Sequence, residues 1–473
     1  MYKVLDSAEI YSIHSSAMEV LERVGVLIEN DFILDLLKRV GAEVDGKTKI
    51  ARFAEYLIKD KVTKVPSNFT LYSRSGQKLR VGKKRPLVIP SANATRILDI
   101  QSREPRPATK EDVEQTCKLS DALEHTDICS PSVLPQDVEP ELMDIYAAEG
   151  MMRNSSKPYF LAPSDEEQAS YIIEMAAIVA GGMIELEKEP IITIFVSPTS
   201  PLRLGIRELE IARRSVKHNI PIFVAPCPNS GVTSPISLAG TLVLICAEYL
   251  ALTFIVELLN PGNPVVIGGA PGITDMRTGN ISYASVETAL MGAAIAQIGS
   301  FYHLPSYAAT SDTGSFELDA QAGYETAWTT IMPIIAGIDL VIAPGHLGAY
   351  TIASYEKLVM DNEILGAIKR ILKGIDISDT ALAVDVIEAV GPKGHFLAQK
   401  HTREHYTKER WMPKISNRIG FSDWSKEKLN LWDRAKREAV EILRTHQPEP
   451  LERDREEGIR NILKKASKRA RSA

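Results

Sequence analysis

Polar and aromatic residues follow a series of short apolar runs, and they are the side chains most able to do chemistry. Asp275, Asp312 and His346 can carry charge or exchange protons at these positions. Aromatic residues lie in or close to the same runs, namely Phe160, Phe195, Phe223, Tyr307 and Tyr350. The corners after the runs are rich in Pro, Gly and Ser and hold few basic residues, so they do not indicate a phosphate-rich substrate. Their composition predicts a pocket for a small organic molecule, in which aromatic faces could hold a cation.

The apolar runs are the elements that must position these side chains. Seven of them recur, at residues 127–134, 159–163, 191–198, 221–228, 264–271, 304–311 and 339–346. Helical stretches lie between them, as in 207–218, where Leu209, Ala212 and Val216 share one face. Continuous apolar strands are typical of a parallel sheet that is covered on both faces. The pattern therefore predicts an α/β fold, either a doubly wound sheet or a (β/α)8 barrel.

A (β/α)8 TIM barrel is favoured over the doubly wound sheet. A typical barrel takes about 250 residues, and the sequence holds no early G-x-G-x-x-G motif. The eighth strand is expected either near 375–384 or at PLVIPSAN, residues 86–93. Because the active site of such a barrel lies at the C-terminal ends of its strands, the polar and aromatic residues should converge there.

The pattern divides the chain into three parts. Residues 1–85 combine helical spacing with short polar strands, which predicts an N-terminal helical and β appendage. Residues 86–390 are predicted to form the catalytic barrel, and residues 391–473 a C-terminal helical extension with a charged tail. Trp411, Trp424 and Trp432 fall in this extension, so part of it should pack against the rest.

Composition excludes several classes of protein. The 473 residues are 44% hydrophobic and 25% charged, which rules out a disordered chain, a collagen-like repeat and a coiled-coil rod. A net charge of -6 leaves no footprint for nucleic acid. The four cysteines form no C-x-x-C pair and the N-terminal residues do not resemble a secretory signal, so a cytoplasmic setting is expected. Glu248 interrupts the apolar run at 231–247, which favours a buried helix over a membrane span.

One short motif suggests a metal. The run HTREH at 401–405 matches the H-x-x-E-H zinc pattern and would make a zinc hydrolase using His401, Glu404 and His405. It lies in a strongly charged stretch outside the barrel units, where such a match arises by chance. We therefore expect no metal site, and the zinc hydrolase remains the competing enzyme class.

Several long motifs occur in order along the chain. They are ILDIQSREPRPAT at 97–109, PCPNSGVTSPISLAGTLVLICAEYLA from 226, LLNPGNPVVIGGAPGITDMRTGN from 258, LPSYAATSDTGSFELDAQAGYE from 304 and SYEKLVMDNE at 354–363. Together they resemble the trimethylamine methyltransferase family, including its non-pyrrolysine members that demethylate quaternary amines. The resemblance covers nearly the whole chain.

The resemblance implies a barrel methyltransferase that moves a methyl group from an amine to the Co(I) of a separate corrinoid protein. Cobalamin would be carried by that partner, with no cofactor bound tightly to this chain. The founding members carry pyrrolysine in the loop corresponding to SDTGSFELDAQ, where this sequence has standard residues such as Gly314 and Ser315. We therefore expect a small quaternary amine, such as glycine betaine, as the donor. Trimethylamine or another methylamine is the alternative donor. A further alternative function is a barrel that binds the amine and performs no chemistry.

The resemblance and the strand-end pattern together assign candidate roles. Expected partners are the corrinoid protein, the quaternary amine and further copies of the chain, without nucleic acid or membrane. Catalytic candidates are Asp312, His346 and Asp275. Candidates for substrate binding are Phe195, Tyr307 and Tyr350 for the cationic head, and Asn229 and Arg277, together with His346, for an attached carboxylate.

Overall fold

The computed structural model describes residues 2–82 and 85–470. Its first part combines helices with short strands: α1 (Ser7–Arg23), β1 (Val26–Ile28), α2 (Asp31–Arg39), β2 (Glu43–Asp45), β3 (Ile50–Arg52), α3 (Glu55–Val62), β4 (Phe69–Tyr72) and β5 (Lys78–Val81). Helix α1 begins with a capping box, in which the Asp6 side chain accepts from the Glu9 amide and the Glu9 side chain accepts from the Asp6 amide. Helices α1, α2 and α3, with strands β1 and β3, share one hydrophobic core with the helices that follow.

The middle part alternates strands and helices. Its strands are β6 (Leu87–Ile89), β7 (Arg96–Leu98), β8 (Pro105–Pro107), β9 (Tyr159–Leu161), β10 (Ile192–Val196), β11 (Arg203–Leu204), β12 (Ile222–Val224), β13 (Asn229–Ser230), β14 (Val265–Gly269), β15 (Gly272–Thr274), β16 (Ile281–Ser282), β17 (Ser306–Ala309), β18 (Leu340–Ile342), β19 (His346–Leu347) and β20 (Ile352–Ala353). Its helices are α4 (Lys110–Ala122), the 3-10 turn Pro140–Leu142, α5 (Met143–Asn154), α6 (Glu166–Ala180), α7 (Met183–Lys188), α8 (Ile206–Val216), α9 (Leu238–Leu259), α10 (Val286–Tyr302), α11 (Ala320–Ala336) and α12 (Tyr355–Leu372).

Seven strands form one parallel sheet, in the order β6-β18-β17-β14-β12-β10-β9. Residues 127–129 bridge its two edges, because the Ile128 amide donates to the Val88 carbonyl (3.1 Å) and the Phe160 amide donates to the Cys129 carbonyl (2.9 Å). The sheet is thereby closed into the predicted (β/α)8 barrel. Of the two candidates for the missing strand, 86–93 contains β6, whereas 375–384 forms a short exposed helix and its flanks.

The inside of the barrel is a separate apolar cluster. Inward side chains of successive strands fill it, as in other small barrels, and they include Leu87, Ile89, Phe160, Phe223, Val266, Tyr307 and Leu340. The β4–β5 hairpin adds Phe69, Leu71 and Val81 to the same cluster. Because the Tyr72 amide donates to the carbonyl of Pro190, just before β10, the hairpin closes the N-terminal end of the barrel. The barrel interior is therefore open toward its C-terminal end.

Within residues 2–82 and 85–470, one helix is long and apolar enough to cross a membrane, the 22-residue α9. However, 83% of its most apolar window is buried inside the protein. Helices α1 and α3 pack on it from the N-terminal part, and β14 packs on it from the barrel. Its apolarity is therefore that of a helix surrounded by protein, as the sequence predicts.

The last part of the chain consists of α13 (Asp379–Leu382), α14 (Val384–Val390), α15 (Lys400–Glu409), α16 (Phe421–Glu427), α17 (Leu431–Thr445) and α18 (Arg453–Ala470). Residues 371–400 are almost entirely exposed. The chain then returns to the barrel, where α17 packs on α4 and α12, and α18 packs on α5 and α6. The guanidinium of Arg103 lies over the Trp432 ring at 4.5 Å, so at least one of the three tryptophans serves this packing.

Glu248 ties helix α9 to the loop after β10. Its carboxylate accepts from the Ser200 hydroxyl (2.7 Å) and from the Leu202 amide (2.8 Å). Burial raises the pKa of Glu248 to about 7. The folded protein therefore holds this proton more tightly than the unfolded chain, and the contribution of the group to stability falls as pH rises from about 4.5 to about 7.

Two substitutions test how the hydrogen bonds and the charge of Glu248 contribute to stability. Glu248→Gln keeps an acceptor for the Leu202 amide and removes the buried charge, so the midpoint of thermal unfolding should equal or exceed that of the wild type at about pH 8. Glu248→Leu leaves the amide unpaired and should destabilise the protein by about 1–3 kcal/mol. If Glu248→Gln proves less stable than the wild type at about pH 8, the charge itself is needed.

Candidate active site

A cavity of about 160 Å³ lies at the C-terminal ends of the barrel strands. A cavity of ~150 Å³ can hold a molecule the size of benzene. Four aromatic residues form much of its wall, Phe160, Phe195, Tyr307 and Tyr350, and the rest is mainly alanine, isoleucine and the loop Ser91–Asn93. The structure thus brings three predicted binding residues, Phe195, Tyr307 and Tyr350, to one place.

The rings contact one another in edge-to-face or tilted arrangements. The ring centroids of Phe160 and Phe195 are 5.7 Å apart, and those of Phe195 and Tyr307 are 6.4 Å apart. Phe223 lies against both Phe160 (4.9 Å) and Tyr307 (5.6 Å) deeper in the barrel. The cavity therefore rests on a packed aromatic layer whose faces carry negative electrostatic potential.

A glycine on the neighbouring strand makes room for Tyr307. A Cβ atom on Gly268 would lie 2.1 Å from the Tyr307 carbonyl oxygen and 2.6 Å from its Cδ1 atom. Only glycine permits this close approach. The hydroxyl of Tyr307 is buried and has no hydrogen-bond partner among the described residues. It is a free donor at the cavity.

Asp312 follows β17 and lies behind Tyr350. Its Oδ1 atom accepts from the Tyr350 amide (3.3 Å), while its Oδ2 atom has no hydrogen-bond partner in the described part of the chain. The side chain is fully buried, and burial raises the pKa of Asp312 to about 8. The carboxyl group is thus mostly protonated and uncharged at neutral pH, and a nearby cation would favour its ionised form.

A buried ion pair holds the loops that carry Asp312 and Tyr350. Lys357 Nζ lies 2.6 Å from the Asp361 carboxylate, and neither side chain has any exposed surface. Lys357 also donates to the Ser311 carbonyl (3.3 Å), and Asp361 accepts from the Gly345 amide (2.7 Å). The pair therefore joins the loop after β17 to the loop after β18.

His346 lies in the loop after β18 but outside the cavity wall. Its Nδ1 atom is 3.1 Å from the Ala343 carbonyl oxygen and its Nε2 atom 3.0 Å from the Ser132 carbonyl oxygen. Burial lowers the pKa of His346, so the ring is neutral and donates to one carbonyl at a time. Its ring centroid is 6.4 Å from that of Tyr350, which it supports from behind.

Asn229 reaches the cavity only through another tyrosine. Its side-chain oxygen accepts from the Tyr283 hydroxyl (3.3 Å), and the Tyr283 ring lies 5.3 Å from the Tyr350 ring. Asp275 and Arg277 lie further out, in the turn between β15 and β16. Arg277 NH2 is 2.8 Å from Asp275 Oδ2, and the Arg277 side chain is 87% exposed. The structure does not bring this pair to the cavity.

The HTREH motif is on helix α15, outside the barrel strands. The rings of His401 and His405 stack at 3.9 Å, and Glu404 pairs with Lys400. Within the described residues, no three His, Cys, Asp or Glu side chains form a group that could hold a metal. We therefore derive no metal chemistry from the motif.

Sequence reasoning missed several residues of this site. Phe160 was visible as a strand aromatic, although it was not among the candidates for substrate binding. Tyr283 lies in a rim hairpin, and Lys357 and Asp361 form an i,i+4 pair that resembles any surface pair on a helix. Only the fold reveals that these two charges are buried.

The arrangement can bind a small cation between aromatic faces, close to an ionisable carboxyl group and shielded from water. An α/β barrel with such a pocket at the C-terminal ends of its strands is a barrel enzyme that acts on a small organic molecule.

Comparisons with known proteins show to which family this barrel enzyme belongs. Residues 1–470 match the family model for trimethylamine methyltransferase (MTTB). The chain is 33% identical over 457 residues to trimethylamine methyltransferase MttB of Desulfitobacterium hafniense (strain DSM 10664 / DCB-2), covering 96% of this chain and 92% of that protein. It is 32% identical over 454 residues to glycine betaine methyltransferase of Desulfitobacterium hafniense (strain Y51), covering 95% and 94%. The chain therefore belongs to the trimethylamine methyltransferase family and is a methyltransferase.

A solved structure supports the fold. Monomethylamine methyltransferase (MtmB) of Methanosarcina barkeri superposes with a TM-score of 0.52 at 14% identity, over 94% of this chain and 95% of that one. At this identity the likeness concerns the fold alone.

The buried pair provides a test of the site's framework. Lys357→Met leaves Asp361 as an unpaired buried charge and should destabilise the protein by about 3–5 kcal/mol. Lys357→Met combined with Asp361→Asn removes both charges and keeps an acceptor for the Gly345 amide, so it should recover more than half of that loss. Urea unfolding followed by circular dichroism measures both. Equal stability of the single and double variants would show that the ion pair does not hold the loops.

Proposed function

We propose that this methyltransferase moves a methyl group from a small quaternary amine, such as glycine betaine, to the Co(I) of a corrinoid carried by a separate protein. The observation that carries the proposal is the aromatic cavity beside the buried Asp312 carboxyl group. Aromatic faces and a carboxylate are the groups that recognise a permanent cation without requiring it to donate a hydrogen bond.

The chemistry of the donor explains why so few polar groups are needed. In the transfer, the nitrogen–carbon bond breaks with its electron pair staying on nitrogen, and the acceptor supplies the electron pair of the new bond to carbon. A quaternary nitrogen leaves as a neutral amine, so no proton moves and no general acid is required. A tertiary amine would leave as an amide anion unless it were activated first. The enzyme's task is to position and desolvate the reactants.

Each residue of the cavity has a task in this proposal. Phe195, Tyr307 and Tyr350 surround the cationic head, and Asp312 offsets its charge from behind Tyr350. The unpaired Tyr307 hydroxyl is placed to donate to a carboxylate on the substrate. His346 and Asn229 support the wall through Tyr350 and Tyr283, whereas Asp275 and Arg277 belong to the rim.

The loop after β17 supports a donor other than trimethylamine. Residues 311–321 contain only standard amino acids, and none of them provides the electrophilic ring of pyrrolysine. Ser315 is buried, while Phe316 is 62% exposed and lies against Gly348. The loop cannot activate a tertiary amine covalently in the way the family's pyrrolysine would.

The rim of the barrel supports a protein as methyl acceptor. Exposed apolar side chains are found in its C-terminal loops, Val232, Ile236, Met276, Phe316 and Tyr324. Exposed apolar patches mark interaction sites. The corrinoid is in this proposal a substrate that arrives with its own protein, and this chain retains no cofactor.

Other partners follow from smaller observations. All four cysteines are free, which fits the reducing cytoplasm. The apolar α9 is covered by protein, and the net charge is -6, so we propose neither a membrane nor a nucleic acid as partner. Side chains such as Ile375 (87% exposed) and Leu397 (86%), in the exposed segment 371–400, favour a homo-oligomer.

A panel of methyl donors tests the function. The enzyme is mixed with a Co(I) corrinoid protein and with glycine betaine, choline, dimethylglycine or trimethylamine, and methylation is followed by the cobalt absorbance spectrum. A quaternary amine should be the donor. Phe195→Leu should slow the transfer by about 2- to 30-fold, the range of one cation–π contact, whereas Phe32→Leu, at an exposed phenylalanine of α2, should not. Methylation from trimethylamine alone would overturn the proposal.

Asp312 predicts how binding depends on pH. Because its pKa in the free protein is raised to about 8, the affinity for a quaternary amine should rise as pH approaches that value and the carboxyl group ionises. Asp312→Asn should weaken binding above about pH 8 and flatten the pH profile, as measured by calorimetric titration. Asp423→Asn, at an exposed carboxylate in the C-terminal extension, should leave the profile unchanged. A profile that keeps its slope in Asp312→Asn would assign the titration to another group.

A further inference from the structure

A second large cavity lies at the opposite end of the barrel. It measures about 520 Å³, within the range of ligand pockets. Its walls come from Glu124 and His125, just before the closing residues 127–129, from the end of helix α12 and from residues 407–414. The aromatic cavity opens at the C-terminal strand ends, so the two sites are separated by the length of the barrel. We name this second one the basic cleft.

The basic cleft has a strong excess of positive charge. Seven cationic side chains line it, Arg85, Lys369, Arg370, Lys373, Lys408, Arg410 and Lys414, against two carboxylates, Glu124 and Glu363. The whole chain carries a net charge of -6, so this excess is local. Lysines and arginines near the end of a helix can serve its dipole. This accounts for the residues at the end of α12 and for Lys408 and Arg410 at the end of α15, but not for Arg85 or Lys414, which lie outside helices.

The cations of the basic cleft are only partly paired within the protein: Arg85 lies 3.9 Å from Asp127, and Arg410 lies over the Tyr406 ring. Lys369 lies 3.5 Å from Asp127, and Arg370 pairs with Glu409. In contrast, no carboxylate among the described residues forms an ion pair with Lys373, Lys408 or Arg410. Like charges brought together without a counter-charge repel one another, so a bound anion would relieve a cost that the free protein carries.

The walls of the basic cleft are held in place by hydrogen bonds. The Glu363 carboxylate accepts from the amides of Lys414 (3.0 Å) and Ser416 (2.7 Å). These hydrogen bonds hold residues 414–416 in place and compensate the charge of Glu363. Asn362 accepts from the His125 amide (2.9 Å) and fixes the opposite wall. A Cβ on Gly366 would lie 2.6 Å from His125 Nε2 and 3.0 Å from Trp411 Nε1, so glycine lets both rings reach the floor.

We infer that the basic cleft binds a phosphate-bearing polyanion. Lysine and arginine donors recognise phosphate oxygens, and the number of cations exceeds what one phosphate group can use. The rings of His125 and Trp411 offer a surface for the organic part of a nucleotide. The site is distinct from the proposed transfer site, and the inference does not depend on the methyl donor.

Calorimetric titration of the full-length enzyme tests the inference without amine or corrinoid. Pyrophosphate, ATP and adenosine are titrated at one ionic strength into the wild type and into the triple variant Lys373→Gln/Lys408→Gln/Arg410→Gln. The matched control is Lys426→Gln/Lys428→Gln/Arg437→Gln, which removes the same charge from another exposed part of the extension. All six side chains are exposed, so both variants should fold.

Pyrophosphate and ATP should bind at least tenfold more weakly to the triple variant than to the wild type, and the control should match the wild type. Tighter binding of ATP than of pyrophosphate would identify a nucleotide, and equal binding a bare polyphosphate; both support the site. Equal weakening in the triple variant and in the control would show that the effect comes from the overall electrostatic field of the protein, and it would overturn the inference. Adenosine binding as tightly as ATP, or full displacement of pyrophosphate by chloride at the same ionic strength, would also overturn the inference.

Discussion

The buried pair of Lys357 and Asp361 is the interaction on which the candidate active site depends. Two charges without solvent exposure are tolerated because each satisfies the other and each also bonds to the backbone of a different rim loop. Removing one partner would leave a charge in a medium that cannot solvate it. The strands bring the loops close together, but this pair sets the position of Asp312 relative to Tyr350.

Around that framework the site combines two opposite electrostatic conditions. Aromatic rings supply a negative face without a formal charge, and Asp312 supplies a carboxyl group that burial keeps near neutrality. Burying the groups of the empty site costs little folding free energy, because no full charge is buried without compensation. It becomes strongly attractive when a permanent cation arrives and draws the proton off the carboxyl group. A substrate that must donate protons or bind a metal would find few partners here.

The two ends of the barrel are specialised differently. The β4–β5 hairpin fills the N-terminal end with Phe69, Leu71 and Val81, which separates the interior from the basic cleft. The C-terminal end keeps alanines where larger side chains would fill the cavity. The N-terminal part and the C-terminal extension cover the outer helices and share their core, so both contribute to the packing around the barrel.

Local patterns were enough to predict the repeating strand–helix units, the barrel, the buried character of α9 and the strand ends that carry Phe195, Tyr307, Tyr350 and Asp312. These features follow from hydrophobic periodicity, which depends on neighbours along the chain. The route of closure through residues 127–129, the burial of Lys357 and the outward turn of Asp275 and Arg277 were decided by the tertiary structure alone. They depend on contacts between segments far apart in sequence, and a charged residue on a helix reads the same whether it faces water or a barrel.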